Sequence, residues 1–460
     1  MLIEFLLGLF VIFVALCVAF YLHLTRNYGY WDKLGVPNVP PKFPFGSMNI
    51  AEGEHLDRKS EILHKQFKDE KFFGLYMFSK PFLNISDPEL LKLIQVKDFD
   101  HFVDRTSPAQ NRLLFSGGDL NKIWLRQLTS LTGDEWKEVR AAFSPIFTSG
   151  KMKNMMKFIQ HVSGELVNEF DKHAKAGEEF EVKNVFNKFS MNALASAAFG
   201  LDAQSFSNEK SLFVKHAASA FANTGWDKLN LLLRIIPGVV PLIEFFGLNT
   251  KAPEATKFFR DVIMQSIKLR RQTGDRKNDL IDLMLDAMID DDLEKDDDVE
   301  EEHEKEMRLT HQRKKQLDEL DIVATALVIL VAGYDTTGIA LSYTAYELAN
   351  HPDIQEKLQE EIDQAYQDAR DGFPDYNVIM NLPYLDMVLF ESLRYNPPVG
   401  ANWRAVEKDW KLPNTNIVLK KGDILTYNAR YLHRLPEHWS HPDQFYPEHF
   451  SKEEKSKRNM

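Results

Sequence analysis

With 460 residues, of which 44% are hydrophobic and 33 are phenylalanine, the chain can bury a large core, so global disorder is excluded. A formal net charge of -12, without a basic stripe that interleaves aromatic residues, argues against nucleic-acid binding. The single cysteine, Cys17, rules out an intrachain disulfide and a structural zinc site built from thiolates. The sequence also has no His-Glu-x-x-His, Gly-x-Ser-x-Gly or phosphate-loop pattern, so metalloprotease, hydrolase and nucleotidase functions have no support.

The first predicted element is an apolar helix at the N-terminus. From Phe5 to Leu22 the chain carries no charge, which is near the lower length limit for a helix that crosses roughly 30 Å of hydrocarbon. Basic residues, beginning with Arg26, follow this run but do not precede it, so the positive-inside rule places the rest of the chain in the cytosol. We predict an uncleaved anchor over residues 1–26, with a buried N-terminal helix as the alternative. Asn84, in an Asn-Ile-Ser acceptor, is then expected to stay unglycosylated.

A cluster of prolines follows the anchor and predicts a stiff connector over residues 27–46, which leaves residues 47–460 as the main domain. Residues 72–78 and 82–86 have the pattern of two paired strands, and Asp87-Pro88 is typical of a helix cap and first helical position. Beyond these strands, helices dominate.

A long helix is predicted over residues 317–350, ended by His351-Pro352. A second membrane span is the alternative, but Asp335 near its middle would be costly in lipid, which favours a buried core helix. Residues 332–337 include a glycine, a carboxylate and two threonine hydroxyls, and a threonine hydroxyl that bonds back four residues loosens a helix. An acid beside an alcohol in a dry pocket can relay protons, although a core aspartate with threonine neighbours is the commoner explanation.

Two further helices carry paired polar side chains. Glu391 and Arg394 lie at i and i+3 of one helix. Trp136 and Arg140 lie one turn apart after Asp134, which is a predicted cap, so an indole N–H and a guanidinium share a face that suits an anionic ligand. Taken alone, the second pair is better explained as a half-buried tryptophan on a surface helix.

Together and in this order, these pieces resemble the cytochrome P-450 family, nearest to its animal microsomal, xenobiotic-metabolising branch. The similarity runs from about Tyr30 to Phe450. Residues 133–151 look like the family's haem-propionate helix, residues 332–337 like its oxygen-activation motif, and residues 391–394 like its Glu-x-x-Arg pair. The resemblance implies a mainly α fold, a helical bundle with small β-sheets, behind one N-terminal transmembrane helix.

Residues 447–450 resemble the element that completes a buried charge triad with Glu391 and Arg394. The family more often has arginine where His449 stands. Because an imidazole cannot reproduce the guanidinium fork, we expect this third member of the triad to interact more weakly.

The resemblance also implies which residues serve the cofactor. Those that would contact the haem are Trp136, Arg140, Arg404, Arg105, Ala332 and Gly333. Asp335 and Thr336 would supply protons during oxygen activation, while Glu391, Arg394 and His449 would hold the core around the haem.

By this resemblance the complete protein would be a haem monooxygenase that inserts one oxygen atom of O2 into a lipophilic small molecule. An NADPH-cytochrome reductase would deliver the electrons. The protein would be a single-pass protein of the endoplasmic reticulum membrane with its catalytic domain on the cytosolic side. The apolar stretch Leu231–Leu248 either dips into the bilayer surface or belongs to the core.

The sequence departs from the family at the iron ligand. The family's ligand is a cysteine thiolate, which should follow Phe450 in a Phe-x-x-Gly-x-x-x-Cys-x-Gly loop, and residues 451–460 contain no such loop. Imidazole can also bind haem iron, but the resemblance places the nearby histidines in the core or at the haem periphery; these are His433, His438, His441 and His449. We therefore expect no metal ligand in this chain, a C-terminal truncation before the loop, and no activity as it stands. A non-catalytic, membrane-anchored binding protein or an unstable remnant is the alternative.

Overall fold

The computed structural model of the chain describes residues 2–47, 56–201, 203–207, 211–221, 230, 233–236, 238–249, 251–289, 317–369 and 372–458. Helices dominate these ranges and two small sheets complete the fold, so the predicted mainly α class is confirmed.

The helices and strands have the following bounds. The helices are α1 (Leu2–Thr25), α2 (Tyr30–Leu34), α3 (Leu56–Gln66), α4 (Pro88–Lys92), α5 (Pro108–Phe115), α6 (Asp119–Leu125), α7 (Gly133–Phe143), α8 (Ser149–Ala176), α9 (Val182–Phe199), α10 (Leu212–Phe221), α11 (Val239–Phe245), α12 (Pro253–Thr273), α13 (Leu280–Ile289), α14 (Glu319–Asn350), α15 (Pro352–Gln367), α16 (Tyr376–Ile379), α17 (Pro383–Tyr395), α18 (Ala429–Leu432) and α19 (Lys452–Lys457). The strands are β1 (Phe72–Met77), β2 (Lys80–Ile85), β3 (Ala401–Ala405), β4 (Trp410–Lys411), β5 (Val418–Leu419) and β6 (Ile424–Asn428).

The larger sheet has the strand order β1-β2-β6-β3. Strands β1 and β2 form the predicted antiparallel pair, and Asp87 caps α4 by accepting a hydrogen bond from the backbone N–H of Leu90 at 2.7 Å, also as predicted. Strand β2 pairs in parallel with β6, with Phe82 opposite Ile424, and β6 pairs antiparallel with β3. Since parallel strands need a long connection, the sheet joins distant parts of the chain and brings β3 to the N-terminal strands.

Helix α14 runs through the core and packs along α9. It begins at a capping box in which Asp318 accepts from the Asp321 N–H at 2.8 Å and Asp321 accepts from the Asp318 N–H at 3.1 Å. A run near its N-terminus, from Asp321 to Leu327, is buried. This packing agrees with the predicted core helix and with its end at His351.

Two helices in the described part of the chain are long and apolar enough to cross a membrane. The first lies in Leu2–Leu34, with 0% of its most apolar window buried, and the second is Glu319–Asn350, with 56% buried. An exposed apolar helix fits a membrane anchor, whereas a half-buried one fits a core element.

The segment after α1 contains α2 and pairs with β1 through Asn38 and Gly46. Trp31 is only 1% exposed and donates its indole N–H to the carbonyl of Leu75 at 3.0 Å. Asn27 donates its side-chain N–H to the carbonyl of Ser79 at 2.9 Å. The bounds 27–46 for a connector and 47–460 for a catalytic domain remain predictions.

Candidate functional site

One face of α14 is open at the acid-alcohol motif. Thr336 Oγ1 donates to the carbonyl of Ala332 at 2.5 Å, which is the predicted bond to the preceding turn. Ala332 is exposed and Asp335 half-buried, although the helix just before them is buried. A core helix thus exposes a small side chain, a carboxylate and a hydroxyl group close together.

The close approach that glycine permits in this motif is made by a neighbouring helix. A Cβ atom at Gly333 would lie 2.9 Å from Cδ2 of Leu194 in α9, and one at Gly338 would clash with the side chain of Asn187. Both glycines therefore let α9 and α14 pack closely. The predicted contact of Gly333 with haem remains a prediction.

Asp335 is half-buried and carries an ion pair. Its side chain is 26% exposed and forms an ion pair with Lys183, at the start of α9, with Nζ 2.9 Å from Oδ1. The pair forms because α9 and α14 pack side by side. Any proton that passes through Asp335 must therefore compete with the cation of Lys183 for the same carboxylate.

Helix α7 begins at Gly133 with Thr132 as its N-cap, so the predicted cap at Asp134 is wrong. Asp134 lies in the first turn with a side chain 94% exposed, where it still complements the helix dipole. The N–H of Gly133 donates instead to Oδ1 of Asp104 at 2.7 Å. The cap fails at Asp134 because a distant carboxylate already accepts from the helix N-terminus.

Asp104 forms a hydrogen-bonded acid pair with Glu407. Asp104 is 3% exposed, and burial raises its pKa to about 7, with the bond to Glu407 adding to the rise. The backbone N–H of Ala405 donates to the carbonyl of Asp104 at 2.8 Å, which ties β3 to the residues before α7. Near neutral pH, the pair can therefore hold one proton between its two carboxyl groups.

The residues predicted to contact haem propionates lie on α7, on β3 and just before α5. Trp136 and Arg140 are half-buried one turn apart on α7, and the Trp136 ring lies edge-on to Phe99 with centroids 6.2 Å apart. Arg105 is exposed, and its charge acts on Arg404 in β3. Arg105 and Arg404 therefore place two positive charges close to one another.

The hydrogen bonds of Arg404 test whether these residues suit the carboxylates of a haem. Its Nη1 donates to the carbonyl of Trp403 and its Nη2 to Oε1 of Gln95, both at 3.1 Å, while its buried Nε lacks a hydrogen-bond partner in the described part of the chain. Burial, followed by the charge of Arg105, lowers the pKa of Arg404. A buried guanidinium beside a second cation is unfavourable unless an anion joins them. The residues present therefore fit the propionates of a haem.

The predicted triad is assembled in the core. Arg394 Nε and Nη2 donate to the two carboxylate oxygens of Glu391 at 2.8 and 2.7 Å, and Nδ1 of His449 lies 3.2 Å from each oxygen. Glu391 is 0% exposed, Arg394 is 2% exposed and His449 is 1% exposed. The remaining N–H groups of Arg394 donate to three backbone carbonyls between residues 433 and 444, at 2.7 to 2.9 Å. One arginine thus ties α17 to the segment that precedes α19.

Burial of the triad acts to raise the pKa of Glu391, but the hydrogen bonds from Arg394 and His449 outweigh it. The pKa of Glu391 is therefore held below its usual value. His449 thus fills the third position of the triad, through one ring nitrogen instead of a guanidinium fork.

The nearby histidines serve local structure. His433 places Nδ1 3.2 Å from the carbonyl oxygen of Arg394, and His449 belongs to the triad. Among the residues that the structure describes, no group of three or more His, Cys, Asp or Glu side chains is suited to a metal ion. Cys17 lies exposed on α1.

A cavity of about 470 Å³ lies beside the C-terminal end of α1, between the β1–β2 turn, α5, residues 234–236 and 238–240, and Trp403. Its volume falls within the range of small-molecule sites, roughly 300–1,000 Å³.

Comparison with known proteins shows that the chain belongs to the Cytochrome P450 family, whose sequence model matches residues 37–460. It is therefore an oxidoreductase, a haem monooxygenase by family, and the suspected resemblance is confirmed. The chain is similar to Cytochrome P450 3A29 of Sus scrofa, with 32% identity over 448 residues that cover 96% of this chain and 81% of that protein. It is also similar to Cytochrome P450 3A6 of Oryctolagus cuniculus, with 31% identity over 457 residues that cover 98% and 83%, and to Cytochrome P450 3A7 of Homo sapiens, with 29% identity over 439 residues that cover 95% and 80%.

Membership of the family implies a haem cofactor and electrons from NADPH through a reductase, as predicted. It also implies a redox partner and lipophilic substrates.

Sequence reasoning missed Lys183, Asp104 and Gln95, which contact the predicted residues. They carry no local signal, because each meets its partner only through the packing of distant segments.

Proposed function

We propose that the chain binds haem through Trp136, Arg140, Arg404 and Arg105 and serves the insertion of one oxygen atom of O2 into a lipophilic small molecule. The observation that carries the proposal is Arg404, whose buried Nε has no acceptor in the described ranges while Arg105 adds a second positive charge. A carboxylate at this position supplies the acceptor and neutralises both cations.

Bound haem supplies the oxygen-activating chemistry, and the chain's own residues supply contact and protons. Ala332, with its small side chain, leaves the open face of α14 accessible. The Thr336 hydroxyl must turn away from the Ala332 carbonyl before it can donate a proton elsewhere. Asp335 is its neighbour in sequence, and protonation of Asp335 would release the ion pair with Lys183.

We further propose that α1 anchors the chain in the endoplasmic reticulum membrane as a single span, with the folded domain on the cytosolic side. Apolar side chains in and after α11 support a second contact with the bilayer surface. Leu242, Phe245, Phe246 and Leu248 are 55%, 82%, 65% and 49% exposed. Of the predicted stretch Leu231–Leu248, residues 231, 232 and 237 lie outside the described residues.

The acceptor at Asn84 cannot test this topology. Asn84 is 3% exposed in β2, and its side-chain N–H groups face Nε2 of His64 at 3.0 Å and Oγ of Ser86 at 3.3 Å. Burial is a second reason for it to remain unmodified in the folded protein, besides its predicted side of the membrane. A topology test needs an exposed acceptor.

The iron ligand decides whether residues 1–460 are active by themselves. The only cysteine among them is Cys17, which is exposed on α1, and thiolate donation favours O–O cleavage in this family. We infer that a polypeptide of residues 1–460 lacks turnover. Haem binding without turnover would correspond to the alternative of a binding protein.

The test expresses residues 1–460 in membranes with an NADPH-cytochrome reductase, beside the same chain extended by a Phe-x-x-Gly-x-x-x-Cys-x-Gly loop. Only the extended chain should give the carbon monoxide spectrum of a thiolate-ligated haem and oxidise lipophilic probes. Within it, Arg404→Gln should lower haem content, while Arg430→Gln, at an exposed position, should not. Turnover by residues 1–460 would contradict the ligand assignment and return attention to the histidines. Unchanged haem content in Arg404→Gln would contradict the propionate site.

A further inference from the structure

The cavity at the end of α1 has an apolar wall with three cationic side chains, one of which, Arg234, donates hydrogen bonds to the carbonyls of Leu113 and Ser116. Leu24, Leu113 and Leu114 are part of the apolar lining, and Arg26 and Lys80 also line the cavity. In the part of the chain that the structure describes, neither cation forms an ion pair with a carboxylate. Since the chain as a whole has a net charge of -12, two adjacent cations without a counter-ion are unusual.

Packing holds these cations together. Asn27, which follows Arg26, donates to the carbonyl of Ser79, which precedes Lys80, at 2.9 Å. This bond joins the two backbone segments that carry the cations. Lys80 is half-buried, and burial, followed by the charge of Arg26, lowers its pKa. A shared anion would relieve both the desolvation and the repulsion.

We propose that this cavity binds a single-chain amphiphile with an anionic head group, the head on Arg26 and Lys80 and the chain along the leucines. Carboxylate and phosphate share the required chemistry, because each accepts charge-assisted hydrogen bonds from an ammonium and a guanidinium. The cavity of about 470 Å³ is large enough for a small ligand. It also lies directly after the apolar helix, where basic side chains attract anionic amphiphiles at a bilayer surface.

A binding assay tests the proposal without any need for turnover, so its failure is separate from failure of the proposed monooxygenase. The full chain in phosphatidylcholine bilayers is titrated with hexadecanoic acid, lysophosphatidate and hexadecanol against a fluorescent fatty acid. The anionic ligands should bind at least about tenfold more tightly than the alcohol. Lys80→Gln and Arg26→Gln should each weaken anion binding about tenfold and leave the alcohol unchanged. Lys97→Gln, at an exposed position outside the cavity, should bind like the wild type.

The position of the chain is tested with Leu114→Trp, which should fill the cavity and reduce binding of all three ligands. The two anionic ligands identify the source: preference for the acid indicates a fatty-acid carboxylate, and preference for lysophosphatidate indicates a lipid phosphate. Equal affinity for acid and alcohol, or wild-type anion binding in both charge variants, would overturn the proposal. Unchanged binding in Leu114→Trp would overturn the placement of the chain in this cavity.

Discussion

Replacing Glu391 by glutamine should destabilise the fold strongly, because Arg394 would then be a buried cation without its carboxylate. Removal of one partner from a buried ion pair costs roughly 3–5 kcal/mol. The matched control is Glu61→Gln, which breaks the pair between Glu61 and Lys65 at nearly the same distance, 2.8 Å against 2.7 Å. Since those side chains are 57% and 74% exposed, solvent screens their charges and the control should cost far less.

The acid dependence of stability provides a second measure of this carboxylate. The pKa of Glu391 is lower in the folded chain than its ordinary value of 4.5, so its contribution is present above about pH 4.5 and is lost as the pH falls through the folded value. Glu391→Gln should therefore flatten the acid side of the stability profile. Urea denaturation of the full chain in detergent, followed by circular dichroism at neutral and acid pH, measures both effects. A loss at neutral pH no larger than that of Glu61→Gln would refute the reasoning.

Three other substitutions test the proton path, the acid pair and the topology. In the loop-extended chain, Thr336→Ala should retain haem but divert electrons to peroxide, and an unchanged ratio of product to NADPH consumed would remove Thr336 from the path. Asp104 has a pKa of about 7 in the folded chain against an ordinary value of 3.8, so the stability of the wild type should fall as the pH rises between these values. In urea denaturation, Asp104→Asn should abolish this fall. An unchanged pH profile in the variant would count against the acid pair. Asn416→Ser creates an acceptor at exposed Asn414, which should stay unglycosylated; a glycosidase-sensitive mobility shift would reverse the topology.

Features coded by neighbouring residues could be predicted from the sequence. The β1–β2 pair depends on two short runs around a turn, the cap at Asp87 on an Asp-Pro step, and the contact between Glu391 and Arg394 on their spacing within one helix. These signals act within a few residues, so they survive without knowledge of the rest of the fold.

Features made by distant segments could not be predicted. Nothing near Asp335 indicates that Lys183 lies beside it, and nothing near Gly133 indicates that Asp104 accepts from its N–H. Gly333 suggested room for a ligand, but the same absence of a side chain serves helix packing equally well. What fills the space beside Gly333 depends on which helix packs against α14 at that point, and the spacing of residues along α14 does not reveal that helix.

The junction between α1 and the sheet has a mechanical consequence. Leu24 and Trp31 are each 1% exposed, and the Asn27 contact lies between them, so buried contacts lie on both sides of the junction. Bilayer thickness influences the tilt of a spanning helix. If α1 spans the membrane as proposed, a change of its tilt would turn the domain bonded to it and alter how deeply Phe245 reaches toward the lipid surface. Membrane thickness would therefore act on this protein as an orientation control.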